Sequence, residues 1–226
     1  LIMPNSLRLF FDELPSELSV FPLPGVLLLP KGRLPLNIFE PRYLSMVLDS
    51  LREERLIGMV QATELAPDPI PDDAELFKTG CAGKVVSFAE TPDGQIQLVL
   101  EGVCRFGIQG DAGLRNGYRR VSADYSLFQQ DMDDPVQQID RDVFRSLLES
   151  YFKAKQIRVD WDMVDSLEDH FLIANLGMMC PFNAQEKQAL LEARDHAHMT
   201  EIMMSLMEMA IKESAATAND NSQVRH

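Results

Sequence analysis

The sequence predicts an α+β fold in which strands and helices are segregated along the chain. Three observations carry this. Up to Phe128, apolar residues either alternate with polar ones or form short runs between turns containing Pro and Gly. Beyond Asp131 they recur at three- and four-residue spacings behind helix-capping residues. A single helical pattern, opened by Glu40-Pro41, interrupts the strands.

Leu18 to Leu29 is apolar but broken by Pro22, Pro24 and Gly25, which predicts a bent strand near a sheet edge rather than a helix. Arg33 to Phe39 follows the Pro30-Lys31-Gly32 turn as a second strand. Pro41 loses no hydrogen bond at the first helical position, and Glu40 lies near the positive end of the helix dipole. Leu44, Val47, Leu48 and Leu51 are the expected buried stripe of this helix, and Arg52 to Arg55 its polar end. Leu56 to Gln61 reads as a strand and Ala66 to Asp73, with Pro67, Pro69 and Pro71, as a loop. Pro92-Asp93-Gly94 joins Cys81–Ala89 to Gln95–Ile108 as a hairpin, with Gly supplying the positive φ. Gly102 and Gly107 mark bends where the sheet curls towards a barrel. Arg119 to Phe128 is the last expected strand, with Val121, Ala123, Tyr125 and Leu127 inward.

The helical half opens after the acidic turn Asp131 to Asp134 and Pro135. Phe144, Leu147, Leu148 and Tyr151 form one apolar side. A helix opened by Asp160-Trp161 carries Leu167, Phe171, Ala174 and Met178. Asn183 and Glu186 form a near capping box for a third helix reaching about Ala193. A fourth, Ala197 to Glu213, places Ile202, Leu206 and Met209 on one face. The expected division is an extension over residues 1–17, a β-rich unit over 18–130, a helical bundle over 131–213 and a disordered polar tail over 214–226.

Bulk properties narrow the function. A formal charge of −14, from 21 basic and 35 acidic residues, repels a phosphate backbone, so nucleic acid is not an expected partner. No apolar stretch approaches the roughly 20 residues that span a bilayer, and no secretory leader is read, so a cytoplasmic protein without membrane contact is expected. Cys81, Cys104 and Cys180 are too few and too widely spaced for a disulfide framework or a zinc knuckle, and no cofactor or metal is expected. His196 and His198, two apart on a helix, point away from each other and read as a surface helix junction rather than metal ligands. There is no GxSxG, and the nearest string to a phosphate-binding loop, Gly80 to Lys84, is too short and precedes a strand.

Specific strings also match a known family. FPLPGVLLLP at residues 21–30 and LPLNIFEPRY at 34–43 resemble the opening of Lon amino-terminal substrate-binding domains, notably their stand-alone bacterial members. LIGMVQ at 56–61, GCAGKVV at 80–86 and IQLVLEGVCRF at 96–106 are similar to the family's next strands. The resemblance covers roughly residues 18–212. It implies a PUA-like mixed β pseudo-barrel followed by a C-terminal helical bundle, and a role in binding polypeptide, including unfolded or damaged proteins. Because no ATPase or peptidase motif accompanies it, a non-catalytic, ATP-independent binding module, an adaptor or quality-control accessory, is the expected function. The alternatives are an RNA-binding PUA-like protein using Lys84, Arg105, Arg119 and Arg120, or an unrecognised enzyme.

Two features suggest where polypeptide binds. Methionines concentrate in the helical half (Met178, Met179, Met199, Met203, Met204, Met207 and Met209), and Met-rich surfaces accept many partners. The expected peptide-binding residues are Leu34, Leu36, Ile38 and Phe39 together with Met203, Met204 and Met207. Glu40 and Arg42 are expected to pair structurally.

Overall fold

The computed structural model describes residues 9–63, 69–133 and 139–223. Pro67 and the Asp134-Pro135 step lie outside them. Six strands form one sheet: β1 (Glu17–Pro22), β2 (Arg33–Ile38), β3 (Leu56–Val60), β4 (Thr79–Glu90), β5 (Ile96–Arg115) and β6 (Tyr118–Asp124), with α1 (Pro41–Arg52) after β2. Their order is β2-β5-β4-β3-β1-β6, with β6 pairing again to β5. The long strand β5 makes this closure possible. Its first part pairs with β2, Arg33 opposite Glu101 through Ile38 opposite Ile96. Its last part pairs with β6, Gly107 opposite Asp124 through Arg115 opposite Tyr118. The ring is therefore a mixed pseudo-barrel, parallel only between β1 and β3, with β2 attached as an edge strand.

Gly102 is required where β5 turns beneath the 29–32 loop. A Cβ there would lie 2.0 Å from the Leu29 carbonyl oxygen. Gly102 instead donates its N–H to Gly32 O (2.9 Å) and accepts from Lys31 N–H (2.8 Å), so the loop is laced directly onto the strand. The β5–β6 turn uses Asn116 and Gly117 at φ 49° and 83°, an Asn-Gly hairpin signal that the sequence reading passed over.

Several expectations shift. The first strand ends at Pro22. In α1 the buried positions are Tyr43, Met46, Val47 and Ser50, while Leu48 is 46% exposed. Two apolar stripes share Val47, and the Tyr43 ring, 4.3 Å from that of Phe21, decides which one meets the sheet. The last strand stops at Asp124, whose carboxylate accepts the Ser126 N–H (2.9 Å) and turns the chain into a 3-10 segment, Ser126–Met132. Phe128 is buried there, and Leu127, expected inward, is 77% exposed.

The helical half comprises α2 (Arg141–Lys155), α3 (Trp161–Ser166), α4 (Asp169–Met179), α5 (Ala184–Leu191) and α6 (His196–Gln223). The capping box of α5 is present: Glu186 N–H to Asn183 Oδ1 (2.9 Å) and Asn183 N–H to Glu186 Oε2 (2.8 Å). The single helix expected after Asp160 is two, because Leu167 and Glu168 are extended. Arg141 on α2 holds this break by donating to Leu167 O (2.6 Å) and to Asp169 (2.5 Å), a tertiary tie that overrides local propensity. In α6 the buried stripe is Met199, Met203 and Met207 rather than Ile202, Leu206 and Met209; Met209 is 55% exposed. The helix also continues past Glu213 to Gln223, where a disordered tail is expected, since Ala215, Ala216 and Ala218 favour propagation of a helix already nucleated.

Buried polar ties join the two halves. Arg105, fully buried, pairs with the equally buried Asp131 at 2.8 Å and donates to the carbonyls of Leu191 (3.1 Å) and Ala193 just before α6. Gln61, just after β3, donates to Ala184 O and to Gln188 Oε1 on α5 (3.1 and 3.0 Å). One apolar cluster, with Leu28, Leu29, Met46, Leu100, Phe144, Tyr151 and Met203, spans both halves. A second, with Val20, Val60, Cys104, Phe106 and Phe128, lies within the β-rich part.

Candidate functional site

An apolar concavity lies where α2 ends. Gln156 takes a left-handed conformation (φ 58°) and closes α2, with Ile157 N–H returning to Phe152 O (2.9 Å). The chain then runs, exposed except at the half-buried Val159, to Asp160, whose carboxylate accepts the Met163 N–H (3.2 Å) and starts α3. α3 is only six residues long, and α4 begins after the Leu167 break. Between α2, α3 and α4 is a cavity of about 230 Å³. Phe152, Leu172 and Leu176 are buried around it, and Met163 and Met179 stand at its rim, 60% and 78% exposed. The Trp161 ring packs edge-on against Phe152 (6.2 Å) and is covered by the Arg145 guanidinium (4.9 Å).

Chemically this groove presents a mainly apolar lining. Cys180 contributes to its lining, but burial pushes its thiol up to about 12, so it is protonated at neutral pH and not a nucleophile. Burial likewise raises the thiols of Cys81 and Cys104, the latter to about 12. Among the described residues no group of His, Cys, Asp and Glu is disposed to hold a metal ion, and no helix is long and apolar enough to cross a membrane.

The residues expected from sequence do not share one groove. Met203 and Met207 are fully buried and Ile38 is 2% exposed, so these three are core. Met204 is half-buried and lines a separate pocket of about 170 Å³ between α2 and α6, with Val143, Phe144 and Glu201. Leu34 and Leu36 are half-buried on β2, and Phe39 beyond it is 63% exposed. Leu36 borders a shallow depression of about 460 Å³ over β2, β5 and β4 with Pro35, Asn37, Ser87 and Gln97.

That depression is poorly suited to pairing with another strand. The Gly102-to-Gly32 bond sets the phase of the β2–β5 ladder, so Leu34, Leu36 and Ile38 turn their backbone groups to β5 and Arg33, Pro35 and Asn37 turn theirs outward. Pro35 therefore removes a donor from the free edge at no cost to the ladder. Arg33 is paired with Glu101 (3.0 Å) and Asn37 with Gln95 (2.6 Å).

Sequence reasoning missed Ile157, Val159 and Met163. No local signal marks them, since Met163 is left exposed by the break at Leu167 that shortens α3. Of the four residues of the RNA-binding alternative, Lys84 is half-buried on β4, Arg105 is buried against Asp131, Arg119 pairs with Asp111 (3.0 Å) and Arg120 with Glu17 (2.9 Å). Arg42 pairs with Glu40 (3.0 Å) and with Asp72 (2.7 Å), a structural role as expected. At the start of α6, Asp195 accepts the His198 N–H (2.8 Å) and His198 Nδ1 accepts the Arg194 N–H (3.3 Å).

The fold is a mixed pseudo-barrel joined to a helical bundle, with an apolar groove in the helical half. Comparison with known proteins places it further: the chain belongs to the family described as the ATP-dependent protease La (LON) substrate-binding domain, whose model matches residues 17–209. A Lon protease from Anaeromyxobacter dehalogenans is 28% identical over 97 residues, covering 43% of this chain and 11% of its own length. One from Cytophaga hutchinsonii is 24% identical over 211 residues, covering 89% of this chain and 25% of its own. The chain thus spans a quarter or less of these relatives. A solved Lon N-terminal domain protein from Xanthomonas campestris has the same fold, with a TM-score of 0.57 at 22% identity, over 84% of this chain and 98% of that one.

Proposed function

We propose that this domain recognises polypeptide without catalysing a reaction, holding apolar segments of unfolded or damaged proteins in the α2–α4 groove as an adaptor or quality-control accessory. The observation that carries the reading is the open apolar groove with Met163 and Met179 at its rim. An exposed apolar concavity marks an interaction site, and methionine reshapes itself around unlike side chains, so one groove accepts many sequences. Membership of a substrate-binding family supports the reading. The buried, protonated cysteines support the non-catalytic part of it.

Fluorescence anisotropy with a permanently unfolded, labelled protein tests the proposal. Covering a methionine-sized side chain contributes about 1.5–3 kcal/mol, and 1.4 kcal/mol is about tenfold in affinity. Met163→Asp and Met179→Asp should therefore each weaken binding about tenfold while leaving the melting temperature unchanged. Absence of saturable binding by the unaltered protein sinks the reading.

A further inference from the structure

We infer that Met163 and Met179 form an oxidation site that closes the α2–α4 groove to apolar chains when a peroxide converts their thioethers to sulfoxides. This rests on the groove being the polypeptide site.

Exposure and position single out these two side chains. Among the described methionines only Met163, Met179 and Met209 are more than half exposed, whereas Met46, Met59, Met199, Met203 and Met207 are buried. Met209 stands on α6 and is outside the groove lining. Met163 belongs to α3 and Met179 ends α4, so the thioethers that solvent reaches at the groove come from two of its walls. The remaining sulfur in the lining, that of Cys180, does not compete for oxidant. It is buried, and a protonated thiol is a poor nucleophile.

The chemistry needs only a peroxide. The thioether sulfur attacks one peroxide oxygen, the O–O bond breaks and an S–O bond forms. The proton of the transferred oxygen passes to the departing one, which leaves as water. Sulfur gives up two electrons and the peroxide takes them. What was a flexible apolar side chain then ends in a polar acceptor. An apolar segment laid over it strips away water and brings no side-chain donor in exchange, so binding loses a contact and gains a desolvation cost. Reductases return sulfoxides to thioethers at the expense of thiols, which makes the change a switch.

The test treats the full chain with dilute hydrogen peroxide, removes the excess with catalase and locates the added oxygen by peptide mass spectrometry. Affinity is then read by anisotropy with a labelled unfolded protein that contains neither methionine nor cysteine. Met163, Met179 and Met209 should be oxidised before the buried methionines, and affinity should fall about tenfold at an unchanged thermal melt. Methionine sulfoxide reductases with a thiol should restore it. A saturating amount of the unfolded protein should slow oxidation of Met163 and Met179 but not of Met209. The double variant Met163→Leu, Met179→Leu should bind like the parent and keep its affinity after peroxide, while Met209→Leu stays sensitive. Undiminished binding with both rim methionines oxidised overturns the switch and leaves the groove reading standing. So does equal loss of binding in the double variant, or resistance of both methionines to peroxide. If the untreated protein does not bind, both readings fall.

Discussion

The barrel and the helical half finish their surfaces in opposite ways. On the barrel, β2 is an edge strand, and it is blunted by Pro35, by the Arg33–Glu101 pair and by the Asn37–Gln95 bond. In the helical half, α3 and α4 leave an apolar groove open. The difference follows from the backbone. A free sheet edge offers unpaired N–H and C=O groups to any extended chain and invites aggregation, whereas a helix satisfies its own backbone and can expose apolar side chains without recruiting strands. A groove walled by helices is therefore the safer place for an adhesive, sequence-tolerant surface.

The largest expected effect breaks the junction between the two regions. Arg105→Met leaves Asp131 charged and unpaired in the interior, which should cost about 3–5 kcal/mol. Pairing it with Asp131→Leu should recover most of that loss, since matched apolar replacements of buried pairs are often neutral. Urea unfolding followed by Trp161 fluorescence, which reports on the groove, and by far-ultraviolet circular dichroism would show whether the halves still unfold together. Coincident transitions at unchanged midpoint in the single variant would mean the pair is not the link.

Gly102→Ala comes next, and it strikes the barrel alone. The added methyl meets backbone, Leu29 O at 2.0 Å and Leu29 C at 2.7 Å, and backbone cannot rotate aside. Destabilisation at the top of the about 1–3 kcal/mol range for overpacking is expected, with groove binding retained below the lowered melting temperature. An unchanged thermal melt would show that the 29–32 loop moves freely.

How far this contrast was legible in the sequence differs between the halves. Strand existence, the Pro92–Gly94 hairpin, the α1 start and the α5 capping box rest on local chemistry and were readable. Which face of α1 or α6 is buried was not, because adjacent apolar stripes share residues and only the packing partner chooses between them. The same limit put Met203 and Met207 in an expected binding surface although α6 buries both. The groove was harder still. It arises from a break at Leu167 imposed by Arg141, a residue 26 positions earlier, and no local signal records that.

A smaller effect sharpens the comparison between the two surfaces. Met179→Asp should weaken binding of unfolded polypeptide about tenfold with unchanged stability, whereas Phe39→Asp, on a side chain that is also exposed, beside β2, should leave affinity within about twofold. Anisotropy titrations of the two variants in parallel decide between the surfaces. The reverse ranking would move the site to the sheet.

The smallest expected effect tests how the barrel half neutralises its charges. Desolvation raises the Asp49 carboxyl, but hydrogen bonds from Tyr118 (2.9 Å) and Asn116 (2.8 Å), with the charges of Arg115 and Arg52, outweigh it and hold its pKa below the usual carboxylate range. A depressed native pKa means that the unfolded chain binds the proton more readily, so the stabilisation is complete above the unfolded value of about 3.9 and fades as pH falls through the native one. Asp49→Asn should therefore cost on the order of 1 kcal/mol at neutral pH, through loss of the charge that ties α1 to the β5–β6 hairpin. Its stability curve should converge on that of the parent as pH falls through the depressed native value, below which both side chains are neutral. Urea midpoints measured across that range check the convergence; curves that stay parallel would place the Asp49 contribution in packing rather than charge.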